Sequence, residues 1–150
     1  LRVNPPLRTA QDRDAVIEGL IDGTIDCIAS DHAPHSAEEK DCEFDQAPPG
    51  MIGLETTLGL VKTFLIDKGL LGWDDAIRKM TIDPAKILNL PGGSLAEGAA
   101  ADITIIDPDK KWTVNPDNFL SRSRNTPFAG FKLSAQVEKT ILGGRVVFSK

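Results

Sequence analysis

Asp31, His32 and His35 stand almost side by side, and the two histidines are the only ones in the chain. Carboxylates and imidazoles are the side chains that bind divalent metals and move protons near neutral pH. The run Ala29-Ser30-Asp31-His32-Ala33-Pro34-His35 therefore concentrates acid–base and metal chemistry in one place. Two further stretches offer recognition groups. Asn4, ahead of Pro5-Pro6, carries an amide that both donates and accepts, or else closes an Asx turn. Pro49-Gly50 offers backbone groups, with glycine permitting close approach, or else a plain turn.

These residues need elements to position them. The apolar run from Ile25 leads straight into Asp31, so Ile25–Ser30 reads as a buried strand delivering its carboxylate at the C-terminal end. That arrangement resembles the active-site rim of an α/β barrel. Leu1-Arg2-Val3 reads as an earlier strand ending at Asn4. Between them, Thr9 caps a helix with Asp12 at its third position, an Asp variant of the capping box, and Asp22-Gly23 ends it near Ile21. Strand, helix, strand with short connections predicts parallel strands and a right-handed crossover.

Residues 31–52 form a loop long enough to be functional. A helix follows from Gly53 to about Lys68, with Leu54, Leu58, Val61 and Leu65 on one face. Asp74 is expected to cap a second helix through Met80, and Asp83-Pro84 to start a third with Pro84 at its first position. After Pro91-Gly92-Gly93 the pattern turns to strands. These are Ala101–Asp107, Val137–Leu142 and Arg145–Phe148, the last two joined as a hairpin at Gly143-Gly144. Residues 115–135 read as polar and irregular. The class is α/β, with a boundary near Gly92.

Bulk properties exclude several roles. Of the 150 residues, 41% are hydrophobic, enough for a core, and the net charge is −5, which argues against a nucleic-acid partner. No apolar run approaches a membrane span. No basic-then-apolar leader opens the sequence, so secretion is not indicated. Cys27 reads as a small core residue and Cys42 as part of a polar loop; a pair of cysteines makes no disulfide scaffold and fits a reducing cytoplasm. The chain begins at Leu1 and enters a strand at once, which reads as the C-terminal part of a longer protein.

Several stretches carry a family resemblance when taken in order. They are Val3-Asn4-Pro5-Pro6-Leu7-Arg8, Asp22-Gly23-Thr24-Ile25-Asp26, Asp31-His32-Ala33-Pro34-His35, Pro49-Gly50-Met51-Ile52-Gly53-Leu54-Glu55-Thr56, Asn125-Thr126-Pro127-Phe128 and the ending Ile141-Leu142-Gly143-Gly144-Arg145-Val146. Together they resemble the C-terminal third of the dihydroorotases of the amidohydrolase superfamily, the bacterial long-loop type. An Asp-His-x-Pro strand end alone is shared with hydantoinases and allantoinases. Asn4, His35 and the Gly-Leu-Glu-Thr run tilt the resemblance to dihydroorotase.

The resemblance implies the C-terminal portion of a (β/α)8 barrel over residues 1–92, including strands seven and eight. It implies the C-terminal part of a small β-sandwich over 93–150. It implies reversible cyclisation of N-carbamoyl-L-aspartate to dihydroorotate in pyrimidine synthesis, by a metal-activated hydroxide. Asp31 would be the metal ligand and general acid/base. His35 would bind the substrate carboxylate, and Asn4 with the Pro49 and Gly50 backbone would contact the ring. The metal would be zinc, one or two ions, with most ligands supplied from outside this chain. A homodimer in the cytoplasm is implied, with aspartate transcarbamoylase as a candidate partner. His32 is expected to support the loop and Glu55 to need no catalytic role. Arg8 is expected to form a scaffold salt bridge, and Trp73 and Trp112 to anchor packing. The rival readings are a dihydropyrimidinase or allantoinase, and a catalytically dead homologue scaffolding aspartate transcarbamoylase.

Overall fold

The computed structural model describes residues 2–150. Helix α1 spans Ala10–Asp22 and starts as the sequence predicts. The Thr9 hydroxyl accepts from the Asp12 N–H, and the Asp12 carboxylate accepts from the Thr9 N–H and hydroxyl. Those bonds hold the Asp12 carboxyl below its ordinary range, with the Thr9 hydroxyl the largest cause. Gly23, at φ 86°, ends the helix in a left-handed turn.

The two predicted strands before residue 31 do not form ladders. Leu1 lies outside the described residues, and Arg2, Val3 and Ile25–Ser30 carry no strand pairing. A strand exists only through its neighbours, and here the contacts are isolated. The Ile28 N–H donates to the Lys79 carbonyl, and Lys79 Nζ donates to the Ile25 carbonyl at 2.6 Å. Ile25, Cys27 and Ile28 are half-buried in this chain. Cys27 is accordingly not a core residue.

A short helix α2 (Ala37–Lys40) sits inside the long loop, closed by a Ser36–Glu39 capping box. Past Gly53 a turn leads into α3 (Thr57–Val61), which continues as a π-helical turn over Lys62–Ile66. Helix α4 spans Trp73–Met80, with Gly72 and not Asp74 at its N-cap; Asp74 and Asp75 occupy the first turn, where the helix dipole favours them. Helix α5 spans Ile82–Ile87, so Pro84 sits at its third position, still within the turn whose N–H groups need no helical partner.

Three antiparallel strands form one sheet in the order β1 (Ile103–Thr113), β2 (Lys132–Leu142), β3 (Arg145–Ser149). Strands β1 and β2 are longer than predicted. The register of β1 shifts between Asp107 and Lys111, and this irregularity accommodates Pro108 within the strand. The sheet packs directly on α3. A Cβ on Gly59 would come within 3.0 Å of Leu133 Cδ1 and 3.2 Å of Trp112 Cζ2, so glycine sets this close approach. The Ser134 N–H donates to Thr63 Oγ1, and Trp112 Nε1 donates to the Ala135 carbonyl. Ile52, Val114 and Leu133 are the largest fully buried apolar side chains, so the core lies between the end of the long loop, α3 and the sheet.

Candidate active site

Asp31 adopts φ 45°, a left-handed conformation that Asp tolerates better than most residues. Its carboxylate is exposed and makes no hydrogen bond or ion pair among the described residues. Immediately after it, His32 forms a parallel bridge with Met51, and the Ala33 N–H donates to the Met51 carbonyl. The two ends of the long loop, 31–35 and 49–53, thus lie side by side.

His32 is committed to holding them there. Its Nδ1 accepts from the Gly53 N–H at 3.1 Å and the Leu54 N–H at 3.3 Å. An Nδ1 that accepts leaves the proton on Nε2, so the ring serves as a neutral loop brace. His35 faces acceptors on both nitrogens: Glu39 Oε2 lies 3.3 Å from Nδ1, and the Pro49 carbonyl 3.2 Å from Nε2. Glu39 is held below its ordinary range, first by the Ser36 N–H and then by His35.

Gly50 sits against this ring. At φ 142° it occupies backbone space that L-residues rarely adopt, and a Cβ there would lie 2.7 Å from Ala33 Cβ and 3.0 Å from His35 Nε2. The Gly50 N–H donates to the Arg2 carbonyl, which brings the segment carrying Asn4 alongside the Pro49-Gly50 turn. Asn4 itself is exposed, and its amide makes no hydrogen bond among the described residues. Arg2 and Lys40 brace the same turn through the Asp45, Ala47 and Pro48 carbonyls. A cavity of about 360 Å³ opens beside His35, with Lys40, Arg122, Arg124 and Asn125 in its wall together with one carboxylate, Asp41, so that cations outnumber anions around it. A larger cavity of about 420 Å³, between α1, α4 and α5, carries mixed charge and none of the predicted site residues.

Two residues of this rim were not assigned a role by sequence reasoning. Asn125 lies within a quoted motif, but nothing local identifies its partners. Its side chain donates to the Ala33 and Gly50 carbonyls and accepts from the His35 N–H, and its carbonyl accepts from the Ile52 N–H. The Glu55 carboxylate accepts from the Leu120 and Ser121 N–H groups at 2.9 and 3.1 Å, tying the segment before Asn125 to the start of α3. Arg8 is exposed and forms no ion pair among the described residues, so it is not a scaffold bridge. Trp112 packs as expected, and Trp73 is half-buried with Lys62 Nζ 5.8 Å from its ring centre.

Among the described residues no three His, Cys, Asp or Glu side chains converge as a metal site. His32 Nδ1 is occupied, and both nitrogens of His35 face oxygens. The Asp31 carboxylate, without a partner among the described residues, keeps its oxygens available to a cation.

Comparison with known proteins places this geometry in a family. The amidohydrolase family model matches residues 3–147. The dihydroorotase of Pelotomaculum thermopropionicum is 58% identical over 146 residues, covering 97% of this chain and 34% of that protein. Those of Syntrophus aciditrophicus and Clostridioides difficile are 50% and 52% identical, each across 99% of this chain and 35% of theirs. The chain thus spans about a third of the length of the curated relatives it matches, in their C-terminal part. Among solved structures, the L-hydantoinase (dihydropyrimidinase) of Arthrobacter aurescens superposes on 99% of this chain and 34% of its own, with a TM-score of 0.92 at 32% identity. The dihydropyrimidinase of Brevibacillus agri gives the same TM-score at 23% identity, which speaks for the fold alone. An α/β chain with the C-terminal architecture of a barrel amidohydrolase is thereby established, and the protein belongs to the amidohydrolase family.

Proposed function

We propose that this chain is the C-terminal part of a dihydroorotase, which interconverts N-carbamoyl-L-aspartate and dihydroorotate. The observation that carries the reading is identity of 50–58% to dihydroorotases across nearly the whole chain, against 32% to the L-hydantoinase. The rim geometry supports it. Asp31 offers an unpartnered carboxylate that can take a proton from the attacking water and return it to the leaving ring nitrogen. His35 Nε2 lies 3.2 Å from the Pro49 carbonyl in this structure. An incoming substrate carboxylate would replace that neutral acceptor with a charged one, a stronger partner. In this reading Asn4 and the Pro49-Gly50 backbone would contact the ring edge; the Gly50 N–H bond to the Arg2 carbonyl, two residues before Asn4, supports it. Zinc, as one or two ions with Asp31 among the ligands, would polarise the ring carbonyl and acidify the attacking water.

The same reading divides the chain near Gly92 into a barrel part, residues 1–92, and a share of a small β-sandwich, residues 93–150. It extends to a homodimer in the cytoplasm, with aspartate transcarbamoylase as a candidate partner. No helix among the described residues is long and apolar enough to cross a membrane.

The test is an assay of the complete protein with dihydroorotate, dihydrouracil, hydantoin and allantoin. Preferred turnover of dihydroorotate is expected; preference for an uncharged ring would reassign the enzyme to the dihydropyrimidinases, and no turnover at all would favour a scaffolding homologue.

His35→Ala in the complete enzyme should raise KM for dihydroorotate about 10–150-fold, from loss of a charge-assisted partner of roughly 1.5–3 kcal/mol. Metal content, measured by elemental analysis, should stay at the wild-type level. Loss of stoichiometric metal would instead make His35 a ligand.

A further inference from the structure

We infer that Asn125 is the positioning residue of the substrate-binding rim: its amide locks His35 and Gly50 in register, and thereby sets where a substrate carboxylate meets the His35 ring. The inference rests on the dihydroorotase reading for the identity of the ligand and on geometry for the rest. The segments 33–35 and 49–52 are linked to each other directly by the His32–Met51 bridge, the Ala33–Met51 bond and the His35–Pro49 contact. None of these fixes the His35 backbone. That backbone is held by the Asn125 Oδ1, which accepts from the His35 N–H at 3.4 Å. From the same side chain, Nδ2 donates to the Ala33 carbonyl at 2.9 Å and to the Gly50 carbonyl at 3.2 Å. One planar amide thus uses its acceptor and both donor hydrogens on the two strips that frame the site.

The choice of residue follows from that pattern. Asp at 125 would keep the acceptor and set a carboxylate against two carbonyl oxygens. Ser lacks the span, and Gln adds a methylene that displaces the fork. Asn125 is itself tethered, because Glu55 accepts from the backbone of Leu120 and Ser121, and Ile52 N–H donates to the Asn125 carbonyl at 3.1 Å. Residues 120–126 therefore act as a strap from α3 to the rim. Asn125 reaches no reacting atom in this scheme; it acts through His35 and Gly50.

The experiment uses the full-length protein carrying Asn125→Ala or the isosteric Asn125→Asp, with Asn118→Ala as a control at an exposed position just before that segment. Amide hydrogen exchange needs no assumption about the substrate. Both Asn125 variants should exchange faster over 33–35 and 49–53 while β1–β3 stay protected; unchanged exchange in those two strips would overturn the inference even in a protein that does not turn over dihydroorotate. With dihydroorotate as substrate, both variants should raise KM about tenfold or more, with kcat within a few-fold of wild type and metal content unchanged. In a His35→Ala background, Asn125→Ala should add little to KM, because the two residues act as one unit. Multiplying effects, or a fall in kcat at unchanged KM, would refute the positioning role. Absence of dihydroorotate turnover by the wild type would fail the proposed function and leave the exchange result to decide the role of Asn125.

Discussion

Asp31→Asn in the complete enzyme should keep the fold and lose turnover by about 10²–10⁴-fold, the usual contribution of a positioned proton acceptor. The substitution conserves shape, and Asn tolerates the left-handed backbone that Asp31 adopts at φ 45°. The carboxylate has no partner among the described residues, so its replacement strands no buried group. What changes is the chemistry: an amide does not accept the proton of an attacking water. Steady-state rates with dihydroorotate, beside a melting curve showing an intact fold, make the measurement. Retention of more than about a tenth of the wild-type rate would remove Asp31 from its role as general base.

Gly50→Ala should be the most damaging change away from the reacting carboxylate. Two costs coincide. Backbone at φ 142° is strained for an L-residue, by about 1–3 kcal/mol. The new methyl would also lie 2.7 Å from Ala33 Cβ, nearer than real Cβ contacts come, and a tight 3.0 Å from His35 Nε2. Either the ring swings off the Pro49 carbonyl or the turn moves off the Arg2 carbonyl. Both routes misplace His35 and the Gly50 backbone together, so KM should rise at least as far as in His35→Ala, about 10–150-fold or more, and the melting temperature should drop as well. His35→Ala lacks the second effect. A Gly50→Ala enzyme with wild-type KM and stability would show that the turn relaxes freely and that Gly50 was not chosen for close approach.

Local chemistry was legible in the sequence wherever it was self-contained. The Thr9–Asp12 capping box, the Gly23 stop and the Gly143-Gly144 hairpin each depend on residues a few positions apart, and all form. Features that depend on distant partners were read less well. Ile25–Ser30 has the composition of a strand but finds single bonds to Lys79 and no ladder. Strand β1 runs past Pro108 because its irregular register absorbs the proline, which composition does not show. Asp74 has the chemistry of a cap, yet Gly72 takes that position and Asp74 serves the first turn. At the rim, Asp31 and His35 draw attention by residue type, while the roles expected of them and of Gly50 rest on the family resemblance. Asn125 and Glu55 act on backbone groups 65 to 92 residues away, a separation at which no periodicity or motif spacing carries information.

The strap also dictates an order of events during synthesis. His35 and Asn125 are 90 residues apart, so a ribosome adding roughly 5–20 residues per second exposes the His35 strip for about 5–20 s before its fastener is even polymerised. Throughout that interval the loop from 31 to 53 has its own bridge and no outer clasp. Joining of the two strips is therefore among the last acts of translation for this stretch of chain, and a nascent polypeptide stalled before Asn125 carries strips 33–35 and 49–52 without the amide that fastens both.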